Sequence, residues 1–201
     1  MKHTKHPVHS VALAAMAVLV FMAAPAVAEV TEDTAHLEGG LGYYVGDSVD
    51  IYTEEFEIES DLLINVRGGW FFTERWGLEG QLWRADTEAT LSGPLTTFLF
   101  GGDISGDVTV WGLDASAVYC TNPAGKHNFL VVGGVGYSSA EDEAGDDEGS
   151  LTLNLGVAGR INVTDNFYVR PDARYLYVND IMDESFNNFL ITVNVGWVFG
   201  G

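Results

Sequence analysis

The sequence predicts an all-β fold: eight antiparallel strands closed into an up-and-down transmembrane β-barrel, preceded by a cleaved signal peptide. Three observations carry this. The first is strict alternation. From Ser150 to Val178, two runs of about 12 residues flank a turn at 163–166. Leu151, Leu153, Leu155, Val157 and Ile161 share one face of the first run; Thr152, Asn154, Arg160 and Asn162 share the other. In the second run Phe167, Val169, Ala173, Tyr175 and Tyr177 oppose Arg170, Asp172 and Arg174. Side chains alternate across a strand, so this is a hairpin with one apolar and one charged face. The second observation is length. Soluble strands usually run to about 5–6 residues, whereas a tilted strand needs about 9–11 to cross a bilayer. The third is the N-terminus. Lys2 and Lys5 precede an apolar run, Val11–Met22, too short to span a bilayer, and Ala26-Val27-Ala28 forms an A-x-A cleavage signal.

Removing residues 1–28 leaves about 173, one domain by length. A short periplasmic segment, 29–36, then precedes a barrel over 37–199. Its eight strands are expected at about 37–46, 61–72, 76–85, 107–120, 127–139, 150–162, 167–178 and 188–199. Three connections are short (73–75, 121–126, 163–166) and four are long (47–60, 86–106, 140–149, 179–187). Short turns at one end and long loops at the other is the outer-membrane pattern, with the short side periplasmic. An even strand count puts both termini there. Pro171 interrupts this regularity, since it has no N–H to give a ladder; a bulge or an internal water is expected beside it.

Five stretches resemble a known family: GGLGYY (39–44), GGWFFTERWGLEGQ (68–81), VVGGVGY (131–137), YVRPDARYLYV (168–178) and ITVNVGWVF (191–199). They are similar to small eight-stranded outer-membrane barrels of the OmpA transmembrane-domain type, the outer membrane protein beta-barrel domain. The resemblance covers about 37–199 and implies a Gram-negative cell envelope. Such chains usually end on an aromatic residue read by the barrel-insertion machinery. Here Phe199 is followed by Gly200 and Gly201.

Turning the apolar faces to lipid sends Arg67, Arg160, Arg170 and Arg174 inward, together with Glu38, Glu79, Asp114 and Asp172. A lipid-facing Arg at mid-depth costs about 2–4 kcal/mol, which fixes this choice. Four cations and four anions in a narrow interior are expected to pair, since an unpaired buried charge is costly. An eight-stranded interior is just wide enough for side chains to fill. Tyr43, Trp70, Trp76, Trp111, Tyr119, Tyr137, Phe167, Tyr175, Trp197 and Phe199 are expected as aromatic girdles at the two interfaces.

The charge is lopsided: nine Lys and Arg less Lys2 and Lys5 leaves seven, against 29 Asp and Glu, a net of −22 after cleavage. That excludes nucleic acid as a partner. Most of the acid falls in the four long loops. Glu141, Asp142, Glu143, Asp146, Asp147 and Glu148 form a candidate divalent-cation loop, carboxylates being suited to Ca²⁺. They lack the EF-hand spacing, and a simply solvated, salt-adapted surface is the competing reading. Cations held there would bridge to lipopolysaccharide phosphates.

Enzyme readings find no support. His36 and His127 are the only histidines after Ala28, both at the periplasmic end, so a Ser-His pair at the outer rim has no base. No G-x-S-x-G, H-E-x-x-H or P-loop occurs, and no cofactor is implied. The lone Cys120 forms no internal disulfide. The expectation is therefore a monomer in outer-membrane lipid with a structural or surface-interaction role. A narrow channel for ions or small solutes, and a soluble periplasmic β-barrel with its leucines inside, are the alternatives.

Overall fold

The structure, a computed structural model, describes Val30 and residues 32–51, 54–142, 147–181 and 184–200. In chain order these form β1 (Thr34–Val45), β2 (Ser48–Ile51), β3 (Glu54–Ile58), β4 (Asp61–Phe71), β5 (Trp76–Ser92), α1 (Pro94–Phe100), β6 (Ile104–Cys120), β7 (His127–Asp142), β8 (Asp147–Asn162), β9 (Phe167–Ile181) and β10 (Glu184–Phe199). Eight of the strands close a barrel in the order β1-β4-β5-β6-β7-β8-β9-β10, every neighbouring pair antiparallel. Ala35 opposite Phe199 and Val45 opposite Phe189 mark the limits of the closing seam between β1 and β10. Closure satisfies the backbone without an edge, as hydrocarbon requires. Among the described residues no helix is long and apolar enough to cross a membrane.

The alternation seen in the sequence decides the two faces. Leu41, Ile64, Leu82, Leu113, Val135, Leu153 and Ile191 are all more than half exposed, or nearly so, on the outer surface. A continuous belt of this kind on a soluble protein would be an aggregation surface; on a barrel it meets lipid. The inner faces carry Asn65, Arg67, Gln81, Asn154, Arg170 and Asn194, all buried.

One end has tight turns. Thr73 Oγ1 accepts from the Arg75 and Trp76 amides (3.2 and 2.9 Å). Asn122 Oδ1 accepts from the Phe129 amide (2.7 Å), and Thr164 Oγ1 from that of Phe167 (3.0 Å). At the other end the long connections are not plain loops. Residues 47–60, read as loop from their acidity, form the β2–β3 hairpin, and β3 pairs with the far end of β5. Within 86–106, β5 runs on to Ser92 and α1 caps its hairpin with β6. The alternation there is Thr/Glu/Ala rather than apolar/polar, so it escapes a hydrophobic pattern.

Pro171 produces no bulge. The β8–β9 pairs Ala158↔Asp172 and Ile161↔Val169 keep one register, while Gly159 and Arg160 between them drop out of the ladder. The β9–β10 pairing continues straight through Val193↔Pro171. The missing N–H therefore leaves a local gap facing β8, and a strand of this depth absorbs it without shifting.

Candidate functional site

The lumen has three layers. At the tight-turn end, Val30, Phe71, Val118, Cys120, Leu130, Val132 and Ala158 form an apolar cluster. The Val30 amide donates to the Pro123 carbonyl (3.2 Å) and the Asp33 amide to that of Phe71 (2.9 Å), which ties both residues to this end of the barrel. At the long-loop end, Tyr44, Leu63, Trp83, Ala85, Val110, Leu176 and Leu190 form a second cluster, with Tyr44 stacked on Trp83. The charged groups lie between them.

Six of the eight charges expected inside meet in one network. Arg67 Nη1 donates to Glu38 (3.0 Å) and Asp172 (3.1 Å), and its Nη2 to Gln81 (2.9 Å). Arg170 donates to Glu38 (3.1 Å), to Glu79 and to Asp172 (3.1 Å). Arg174 donates to Asp172 (3.0 Å) and Glu79 (3.2 Å). Three guanidiniums thus face three carboxylates, all essentially without solvent contact. The charges balance, and the planar fork of Arg lets each cation hold two or three anions at once. Small residues make the room: a Cβ on Gly156 would meet Arg174, one on Gly69 the His36 ring, and one on Gly196 the Tyr168 ring.

Asp114 and Arg160 stand apart from the network and form no ion pair among the described residues. Asp114 accepts from Trp83 Nε1 (2.9 Å) and Asn154 Nδ2 (3.3 Å). Arg160 donates to Asn162 (3.1 Å) and lies over the Tyr168 ring at 4.2 Å. Parity placed both residues inside, but their height along the barrel separates them from partners. Three groups absent from the expected set join the network. Gln81 accepts from Arg67 (2.9 Å). Tyr168 donates to Glu38 (2.7 Å). His36 Nε2 lies 3.4 Å from Glu79 and 3.7 Å from Glu38. His36, expected in the segment ahead of the barrel, lies in β1, which begins at Thr34; its even-numbered parity with Glu38 is the signal for its inward position. His36, Glu38 and Glu79 offer ligand atoms within 4.8 Å of one another. Arg170 already occupies both of those carboxylates, so a metal cation would have to displace a guanidinium.

The expected girdle residues all lie on the outer face, in two rows. Trp76 packs on Tyr119 (4.9 Å between centroids) near the tight turns, the row shared by Trp70, Phe167, Trp197 and Phe199. Trp111 packs on Tyr137 (5.9 Å) at the other end, in the row of Tyr43 and Tyr175. From Trp111 to Tyr119 is about 26 Å of strand at about 3.3 Å per residue, or about 20 Å of height at a tilt of about 35–45°, against an apolar band about 25 Å tall in outer-membrane barrels. Arg84 points outward at the upper row, exposed, and pairs with Asp86 (2.8 Å). Of the candidate cation loop, Glu143 and Asp146 lie outside the described residues. Glu141 is exposed at the end of β7, opposite Asp147 on β8. Asp142, Asp147 and Glu148 are described as strand backbone only.

The outer membrane protein beta-barrel domain model matches residues 14–199. The chain belongs to that family. Its place is the outer membrane. A search of curated protein sequences finds no match. Among solved structures, the chain is similar to OprG from Pseudomonas aeruginosa (TM-score 0.68, 11% identity, 86% of this chain and 99% of that one). It is similar also to Neisserial surface protein A (0.59, 13%, 84% and 100%). A third is Ail of Yersinia pestis, solved in complex with the heparin analogue sucrose octasulfate (0.53, 18%, 84% and 100%). At these identities the likeness is one of fold.

Proposed function

We propose that this protein is a non-enzymatic, plugged outer-membrane barrel that stabilises the membrane and presents an acidic surface to the exterior. The observation that carries the reading is the reach of β9. Arg170 and Arg174 on β9 bind Glu79 on β5, and β5 lies four strands from β9 in either direction round the barrel. Side chains that bridge opposite walls obstruct a water path, and an apolar cluster lies on either side of them along the barrel. Every carboxylate of the network is engaged by a guanidinium, so none is free to serve as an acid or base.

The tight-turn end faces the periplasm and the β2–β3, β5–β6 and β7–β8 connections face outward, following the asymmetry of outer-membrane barrels. The partners are outer-membrane lipid, lipopolysaccharide and, during assembly, the insertion machinery. In this reading the protein acts as a monomer. Cations held between the outer carboxylates and lipopolysaccharide phosphates would tie it to the leaflet. Two experiments test this together. Unboiled mature protein should migrate differently from boiled protein on SDS gels. Protease added to intact cells should cut between 86 and 106 and spare the turn at 163–166; the reverse pattern would invert the orientation.

A further inference from the structure

The long-loop end carries an element the barrel does not need. β5 and β6 stay paired past the upper aromatic row as far as Leu91↔Ile104. From Arg84, opposite Trp111, to Ser92 is about 26 Å of strand at about 3.3 Å per residue. At the tip sits α1, started by Pro94 and stopped by Gly101 in the left-handed region (φ 82°), whose amide bonds the Thr97 carbonyl. Thr96 is buried, its hydroxyl on the Gly93 carbonyl (3.1 Å), and α1 rests against β3 and β5. The opposite side presents Phe98, 83% exposed, and Leu99, 58% exposed.

This apolar pair stands in an acidic field. Residues 89–102 carry no charge at all. Around them Glu55, Glu57, Glu59, Asp103 and Asp107 are exposed, and no Lys or Arg occurs from Ala85 to Gly125 or from Glu29 to Val66. Each occupant can be weighed on that charge. The protein's own bilayer lies below, at the aromatic row. An anionic membrane, an anionic glycan or a second copy of this chain is repelled by like charge. A polypeptide that mixes Lys or Arg with aliphatic or aromatic side chains meets both features: its apolar groups cover the helix and its cations face the carboxylates.

We infer that α1 is the docking point for a cationic amphipathic polypeptide from outside the cell. The inference rests on the proposed outward orientation of this end and gives the surface-interaction reading a partner. The test uses the mature chain in phosphatidylcholine nanodiscs, with empty discs as the baseline. The probe is a fluorescent 12-residue peptide of Lys and Leu, followed by anisotropy. Binding above the baseline is expected, with at least a tenfold weakening in Phe98→Ser/Leu99→Ser. A Lys/Ser peptide of equal charge should bind at least tenfold more weakly, and a Glu/Leu peptide not at all. Equal binding by the variant, or by the Lys/Ser peptide, would overturn the inference and leave only diffuse charge attraction. Both proteins are checked for the gel shift on boiling. Wild-type protein that shifts but does not bind sinks the docking site alone; wild-type protein that does not shift sinks the barrel reading itself. Because α1 lies outside the barrel, replacing 94–100 by a Gly/Ser linker gives a second variant that keeps the shift and should lose the peptide.

Discussion

Replacing Arg170 by Met is the sharpest perturbation of the lumen. Arg170 is 1% exposed and is the one side chain bound directly to all three network carboxylates through its terminal nitrogens at hydrogen-bond distance. Its removal leaves Glu38, Glu79 and Asp172 with Arg67 and Arg174, a net buried charge of one. Breaking a buried pair by deleting one partner costs about 3–5 kcal/mol, most of it for the charge left behind. Arg170→Met should therefore lose about that much. The double variant Arg170→Met/Glu79→Gln leaves two anions on two cations and restores neutrality. It should be more stable than the sum of the single losses predicts, with a coupling of about 1–3 kcal/mol. The assay is urea unfolding from lipid vesicles, read by tryptophan fluorescence and by the gel shift. A loss below about 1 kcal/mol for Arg170→Met, with no coupling to Glu79, would refute the reasoning. It would mean that water screens these groups as it screens surface pairs.

Other predictions follow from single positions. Gly69→Val should destabilise by about 1–3 kcal/mol, the range for overpacking, because its Cβ would lie 2.5 Å from the His36 ring and 2.8 Å from the Glu79 side chain. Gly39→Ala has open space around it and should leave the urea midpoint unchanged. Leu153→Arg, in the middle of the lipid-facing belt, should cost about 2–4 kcal/mol in the same assay; a neutral result would turn the barrel inside out. Pro171→Val should restore the donor facing β8 and stabilise by about 1 kcal/mol, the net worth of a hydrogen bond, with slower amide exchange at Gly159 and Arg160.

Alternation made the barrel legible because lipid enforces it on every spanning strand. A single Arg on the wrong face would cost more than most packing errors, so Arg67, Arg160, Arg170 and Arg174 all reveal the inner side by number alone. Height along the strand leaves no such mark. Asp114 and Arg160 share the parity of the network but sit above and below it, beside the two apolar clusters. Those clusters were the larger omission. Val118, Leu130 and Val132 fall at inward positions, so strands there are apolar on both faces; a reading that equates inward with polar passes over them. The outer extension was hidden for another reason. In Asp86–Ser92 neither face meets lipid, so the pattern that reveals the membrane strands is absent, and pairing with β3 and β6 supplies the order instead.

The most direct measurement is conductance of the refolded wild-type protein in a planar bilayer. A lumen bridged by Arg170 and Arg174 to the opposite wall and capped at both ends predicts no steady open level at moderate voltage. A stable, reproducible conductance from the folded monomer would contradict a plugged lumen, and would make the Arg–Glu pairs the gate of a narrow channel.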